Sequence, residues 1–154
     1  MESFREEDPG PAKSGAAHIL IVEDHEPTSS AIAALLRSRL EPLQSAGRSL
    51  TVKTLPDAES ALKLIADSQP DVVVMDISLP GMNGIEATRR LRAVAPSVPV
   101  IINSRNDTDV YRAMAAAAGV SAFISKQHTA EDLVPAILSI LDGAERWKFE
   151  TGSC

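Results

Sequence analysis

Apolar and polar positions along the chain alternate between two textures. Short runs rich in β-branched and aliphatic residues occur at "HILIVE" (18–23), "LTVKTL" (50–55), "DVVVMD" (71–76), "VPVIIN" (98–103) and "SAFIS" (121–125). Between and after them, apolar residues recur at helical spacing: Ile32, Leu35, Leu36 and Leu40; Ala58, Leu62 and Ile65; Ile85, Thr88 and Leu91; Val110, Met114, Ala117 and Ala118; Leu133, Ile137, Ile140 and Leu141. Strand followed by helix, five times over, predicts an α/β fold with a parallel sheet, right-handed crossovers and helices on both faces. The unbroken run Val72–Met75 suits a central strand buried on both sides.

Punctuation refines this pattern. "HTAED" places Thr129 as N-cap of the last helix with Asp132 three residues on, close to a capping box. Pro135 falls inside that helix and removes one backbone hydrogen bond, which predicts a kink or a late start. "EPLQSAGRS" (41–49) reads as a rather long loop, and residues 1–17 as a flexible tail with order beginning at His18. Gly81 and Gly84 in "SLPGMNG" suit unusual dihedrals in a turn.

Composition narrows the function classes. The 154 residues suit one domain with a real core, and a net charge of -6 argues against nucleic acid binding through a generally basic surface. Cys154 is the only cysteine, so no intrachain disulfide forms and a reducing cytoplasm is the expected setting. The acidic start "MESFREEDPGPAKSG" is unlike a signal peptide, and no run reaches membrane-spanning length.

The chemistry lies at the strand ends. Glu23 and Asp24 follow the first strand and Asp76 the third, and a parallel sheet brings these ends to one edge. Three convergent carboxylates need positive charge, and hard oxygen donors suit Mg²⁺. The fourth strand ends near Ser104 and the fifth at Lys126, adding a hydroxyl and a cation. Such a set suits phosphoryl transfer onto the Asp76 carboxylate, with metal and lysine neutralising the moving group.

On these five positions, joined by "DISLPGMNG", the chain resembles the receiver domain of two-component response regulators over residues 18–142, leaving 143–154 as a tail or the start of a linker. The resemblance implies a doubly wound, flavodoxin-like sheet of order 2-1-3-4-5. It implies Asp76 as phosphoacceptor, Asp24 as direct Mg²⁺ ligand, Glu23 acting mainly through water, and the Ser78 backbone carbonyl completing the protein's share of the metal shell. Ser104 matches the switch hydroxyl, Lys126 the family's lysine, and Phe123 the aromatic whose rotamer reports phosphorylation. The implied donor is a histidine kinase or phosphotransfer protein, and the implied activity is signalling, with no catalysis beyond the domain's own aspartyl phosphorylation and dephosphorylation.

Two departures stand out: Arg105 follows Ser104 where many receivers keep a small residue, and Gln127 follows Lys126 where many have proline. Gln127, "GVSAFISKQHTAEDLVPAI" and "LDGAERWKF" resemble the NarL/FixJ-like subfamily, whose receivers usually lead into a DNA-binding helix-turn-helix domain. Phosphorylation-dependent association with a partner or a second copy is expected through the face built from the fourth helix, fifth strand and fifth helix, which includes Tyr111 and "AMAAAAG". The competing reading is a receiver-like protein-binding module that works without phosphorylation, with Arg105 blocking the pocket or mimicking part of a bound charge. A hydrolytic phosphatase would want a carboxylate where Ser78 stands, and no G-x-x-x-x-G-K-[ST] occurs to support a Walker-type nucleotide enzyme.

Overall fold

Each apolar run becomes a strand, and four of the five are covered on both faces. The computed structural model describes residues 15–142 and holds β1 (Ala17–Val22), β2 (Leu50–Leu55), β3 (Val72–Met75), β4 (Val100–Ser104) and β5 (Ala122–Ser125) in one parallel sheet of order β2-β1-β3-β4-β5. The helices are α1 (Glu26–Arg39), α2 (Glu41–Ser45), α3 (Ala58–Asp67), α4 (Gly84–Val94), α5 (Asp109–Ala118) and α6 (Thr129–Leu141). The doubly wound architecture expected from the alternation is therefore present.

Successive residues of a strand point to opposite faces, so an uninterrupted apolar run feeds two cores. Leu20, Val22, Val73, Met75, Ile102 and Phe123 pack with Ala61, Ile65, Ile85, Leu91 and Ala115 on the α3–α4–α5 side. Ile19, Ile21, Val72, Val74, Ile101 and Ile124 pack with Ile32, Leu36, Leu133 and Ile137 on the α1–α6 side. Strand β2 lies at the sheet edge and none of its residues is fully buried, which explains its mixed composition.

Four local expectations are corrected. Strand β1 begins at Ala17, whose fully buried side chain lies in the α1–α6 core, so order starts one residue before His18. The expected loop after α1 contains helix α2, because Pro42 sits in its first turn, where the missing N–H has no intrahelical partner to lose. Thr129 is not the cap of α6: His128 holds that place behind a 3₁₀ turn at Lys126–His128, and the Thr129 hydroxyl is engaged elsewhere. Gly81 has the left-handed backbone expected of it (φ 74°), but Gly84 does not; it is glycine for lack of space, as described below. Helix α6 runs through Pro135. The expected tails at 1–14 and 143–154, with Cys154, lie outside the described residues.

Candidate functional site

The strand ends meet as the sheet topology requires. Glu23 and Asp24 follow β1 directly, Asp76 follows β3, Ser104 closes β4, and Lys126 follows β5. Carboxylate oxygens of Glu23, Asp24 and Asp76 lie within 4.8 Å of one another. The Lys126 ammonium joins two of them, at 2.6 Å from Glu23 Oε1 and 3.3 Å from Asp76 Oδ2. Side chains of Glu23 and Asp76 keep 3% and 8% of their exposure, against 15% for Lys126, so the pairs sit largely out of water. Asp24 is exposed, at the mouth of a cavity of about 290 Å³ that Ser78, Arg105 and Asn106 also line.

Electrostatically the cluster is under-compensated. Burial raises the Asp76 pKa above its ordinary value; the Lys126 charge opposes the rise, Glu23 adds to it, and hydrogen bonds from Lys126 and the Ser78 N–H moderate it. Three carboxylates against the one ammonium bonded to them leave two negative charges when all are ionised, with Arg105 lining the same cavity. That deficit and the all-oxygen donor set fit a hard divalent cation.

The turn after β3 fixes where Asp76 points. Leu79 N–H and Gly84 N–H both donate to the Ile77 carbonyl, at 2.9 Å each, folding "SLPGMNG" back onto the strand end. Asn83 Oδ1 then caps α4, accepting from Ile85 N at 2.8 Å and Glu86 N at 2.9 Å. A Cβ on Gly84 would lie 2.0 Å from the Asp76 carbonyl oxygen, so only glycine lets α4 start this close to β3.

Ser104 is fully buried, and its Oγ accepts from Asn106 N–H at 3.0 Å. The Asn106 side chain crosses to Ser78, Nδ2 donating to Oγ at 3.0 Å, which ties the β4 and β3 loops together over the cavity. Phe123 is buried in the α3–α4–α5 core, in register with Ile102, two residues before Ser104. The Arg112 guanidinium stacks on its ring, 4.7 Å from the centroid.

The sequence reading missed Asn106 and Arg112. The first sits in "SRND", which looks like an ordinary turn, and the second is a helix-surface arginine until β5 is placed beneath it. Asn103 ends the apolar run and so reads as an ordinary strand-end residue, yet β4 continues through it to Ser104.

Residues 19–138 match the response regulator receiver domain. The chain belongs to that family. The receiver is 31% identical over 125 residues to the response regulator GacA of Pseudomonas aeruginosa, a match covering 81% of this chain and 55% of that protein. It is 33% identical over 123 residues to the sensory transduction protein RegX3 of Mycolicibacterium smegmatis, covering 80% and 50%. The receiver thus spans about half the length of the curated relatives it matches. Among solved structures it resembles a LuxR-family DNA-binding response regulator from Staphylococcus aureus, with TM-score 0.68, 26% identity and coverage of 81% of this chain and 98% of that one. A LuxR-family two-component response regulator from Aurantimonas gives TM-score 0.65 and 29% identity, covering 90% and 94%. The receiver is therefore a two-component signalling module, and among its described residues no helix is long and apolar enough to cross a membrane.

Proposed function

We propose that this receiver accepts a phosphoryl group on Asp76 and passes the event to its surface. The observation that carries the assignment is the Lys126 ammonium bound to both Glu23 and Asp76, three residues delivered by the ends of three different strands. An ammonium at 3.3 Å from Asp76 Oδ2 can also contact a phosphoryl oxygen transferred to that carboxylate.

In the step itself an Asp76 oxygen attacks the phosphorus of a phosphohistidine or small phosphodonor. The Asp76 O–P bond forms as the donor's bond to phosphorus breaks, and the electron pair leaves on the donor atom. Mg²⁺ would be held by Asp24 and Asp76 directly, by Glu23 through water and by the Ser78 backbone carbonyl, and would supply charge neutralisation for the phosphoryl oxygens. Ser104 donates its hydroxyl to one of those oxygens once the group is in place. The receiver is assigned residues 18–142, a histidine kinase or phosphotransfer protein as donor, and a phosphorylation-dependent second copy as partner. That association uses the α5–β5–α6 face, where Val110 and Met114 stand exposed at helical spacing.

The test is phosphorylation by acetyl phosphate with Mg²⁺, followed by intact-mass measurement with Asp76→Asn as control. A single phosphoryl group lost in the variant supports the assignment; an equal mass increase in Asp76→Asn refutes it.

A further inference from the structure

Behind the acidic cluster, on the α1–α6 side of the sheet, Asn103 is buried to 2% exposure within β4. Its Nδ2 donates to the Ile124 carbonyl at 3.1 Å and to Thr129 Oγ1 at 3.0 Å. The Thr129 hydroxyl in turn donates a hydrogen bond to the Lys126 carbonyl at 3.2 Å. The directions are fixed by the partners: the Ile124 and Lys126 carbonyls only accept, so the amide nitrogen must face Ile124 and the threonine proton must face Lys126. One continuous relay therefore runs from β4 through Thr129 to the backbone of Lys126.

This relay has a cost. Asn103 Oδ1 is buried with no hydrogen-bond partner among the described residues. A leucine of similar size at 103 would remove that unpaired acceptor but also the donor to the buried Ile124 carbonyl, so the asparagine brings little net stability and is better explained by what its two N–H groups hold. The held group matters because Lys126 opens a 3₁₀ turn carrying Gln127, with no proline ring to stiffen the peptide after the lysine.

We propose that Asn103 and Thr129 are positioning residues, fixing the Lys126 backbone so that its ammonium reaches Glu23 and Asp76 together. This rests on the phosphoacceptor reading above, in which that ammonium meets the incoming phosphoryl group. Neither residue touches the reacting atoms. Removing either leaves the acid pair and Asp76 in place while freeing the lysine stem.

The experiment compares wild type with Thr129→Val, Thr129→Ser and Asn103→Leu. Three quantities are measured: the acetyl phosphate phosphorylation rate, Mg²⁺ affinity, and the ¹H–¹⁵N signal of the Lys126 ammonium without phosphodonor. Because an ångström of misplacement can cost about a hundredfold in rate, the valine and leucine variants are expected to lose roughly tenfold while binding Mg²⁺ as wild type does. Thr129→Ser, which keeps the hydroxyl, should retain the rate. The slowly exchanging ammonium signal should weaken in Thr129→Val and survive in Thr129→Ser. Asn103→Leu trades one unpaired acceptor, Asn103 Oδ1, for the Ile124 carbonyl and should unfold at a urea concentration close to wild type, which separates positioning from loss of fold. A Thr129→Val protein with wild-type rate and ammonium signal, or a serine variant as impaired as the valine one, overturns the proposal and leaves the Asp76 assignment standing. Wild type that takes no phosphoryl group overturns that assignment instead, and the ammonium signal alone then decides the positioning.

Discussion

Gly84→Ala adds one methyl group at the closest backbone approach of the site. The new Cβ would lie 2.0 Å from Asp76 O, 2.9 Å from Asp76 C and 3.1 Å from Ile77 Cα, whereas ordinary contact begins at 3.4 Å. The start of α4 must therefore retreat by about 3.4 − 2.0 = 1.4 Å, or the end of β3 must move by as much, since backbone atoms have no rotamer to escape into. The movement strains or breaks Gly84 N–H to Ile77 O, worth about 1 kcal/mol, and overpacking adds roughly 1–3 kcal/mol. Alanine's better helix propensity offsets at most about 1 kcal/mol. The net expectation is a loss of roughly 2 kcal/mol in urea unfolding followed by circular dichroism, with phosphorylation of Asp76 falling by up to about a hundredfold as the carboxylate shifts. Gly81→Ala is the control: its Cβ would meet only the movable Glu59 carboxylate at 3.1 Å, so the cost is backbone strain at φ 74°, about 1–2 kcal/mol, with phosphorylation near wild type. Gly84→Ala unfolding at the wild-type midpoint with an unchanged rate would refute the packing argument.

Two further outcomes follow from the charge balance. The folded state raises the Asp76 pKa above 3.8, mainly by burial, so from 3.8 upward the folded protein holds this proton more tightly than the unfolded chain, and stability falls as pH rises through the window. Asp76→Asn should therefore be more stable than wild type at neutral pH without divalent metal, the gap closing below 3.8; parallel stability curves across pH would reject this. Lys126→Met leaves the carboxylates without their ammonium and should cost roughly 3 kcal/mol, at the low end for a broken buried pair because Lys126 keeps some exposure. Millimolar Mg²⁺ should restore part of that loss, and a variant as stable as wild type in its absence would contradict the assigned role of the lysine.

Much of this architecture was legible because both sheet faces are covered. A strand buried on two sides is largely apolar, and a polar residue that interrupts the run marks its end to within a residue or two; Glu23 and Asp76 follow their strands in this way, whereas in β4 both Asn103 and Ser104 are buried within the strand. Topology then brought them together without any knowledge of side-chain geometry. Contacts between neighbouring loops were not legible, because a hydrogen bond such as Asn106 to Ser78 depends on the relative height of two turns, which no periodicity encodes. The Thr129 cap failed for a related reason: the local motif was sound, but Asn103, far off in sequence, competes for the same hydroxyl. Gly84 was recognised as special for the wrong cause, since a missing Cβ can serve either dihedral freedom or close approach and sequence does not distinguish them.

The resting contacts also bear on how far phosphorylation alone can drive the surface. Ser104 is tethered by Asn106 N–H and Asn106 by Ser78, neutral hydrogen bonds worth about 1 kcal/mol each. Phe123 is already buried in the core, with the Arg112 guanidinium stacked on its ring, and is not one of the tethers. A phosphoryl group on Asp76 would bring about two charges, and charge-assisted bonds from Ser104 and Lys126 at about 1.5–3 kcal/mol each. Lys126 already spends part of its bonding on Glu23 and Asp76, so the difference between states comes to a few kcal/mol once the broken tethers are subtracted. Moving an equilibrium from 1:99 to 99:1 takes about 5.5 kcal/mol. On these magnitudes phosphorylation would tilt the balance without completing it, and under the proposed association a partner that selects the switched face would supply the remainder. Exposed Val110 and Met114 on α5, which also carries Arg112, would give such a partner apolar surface to bury.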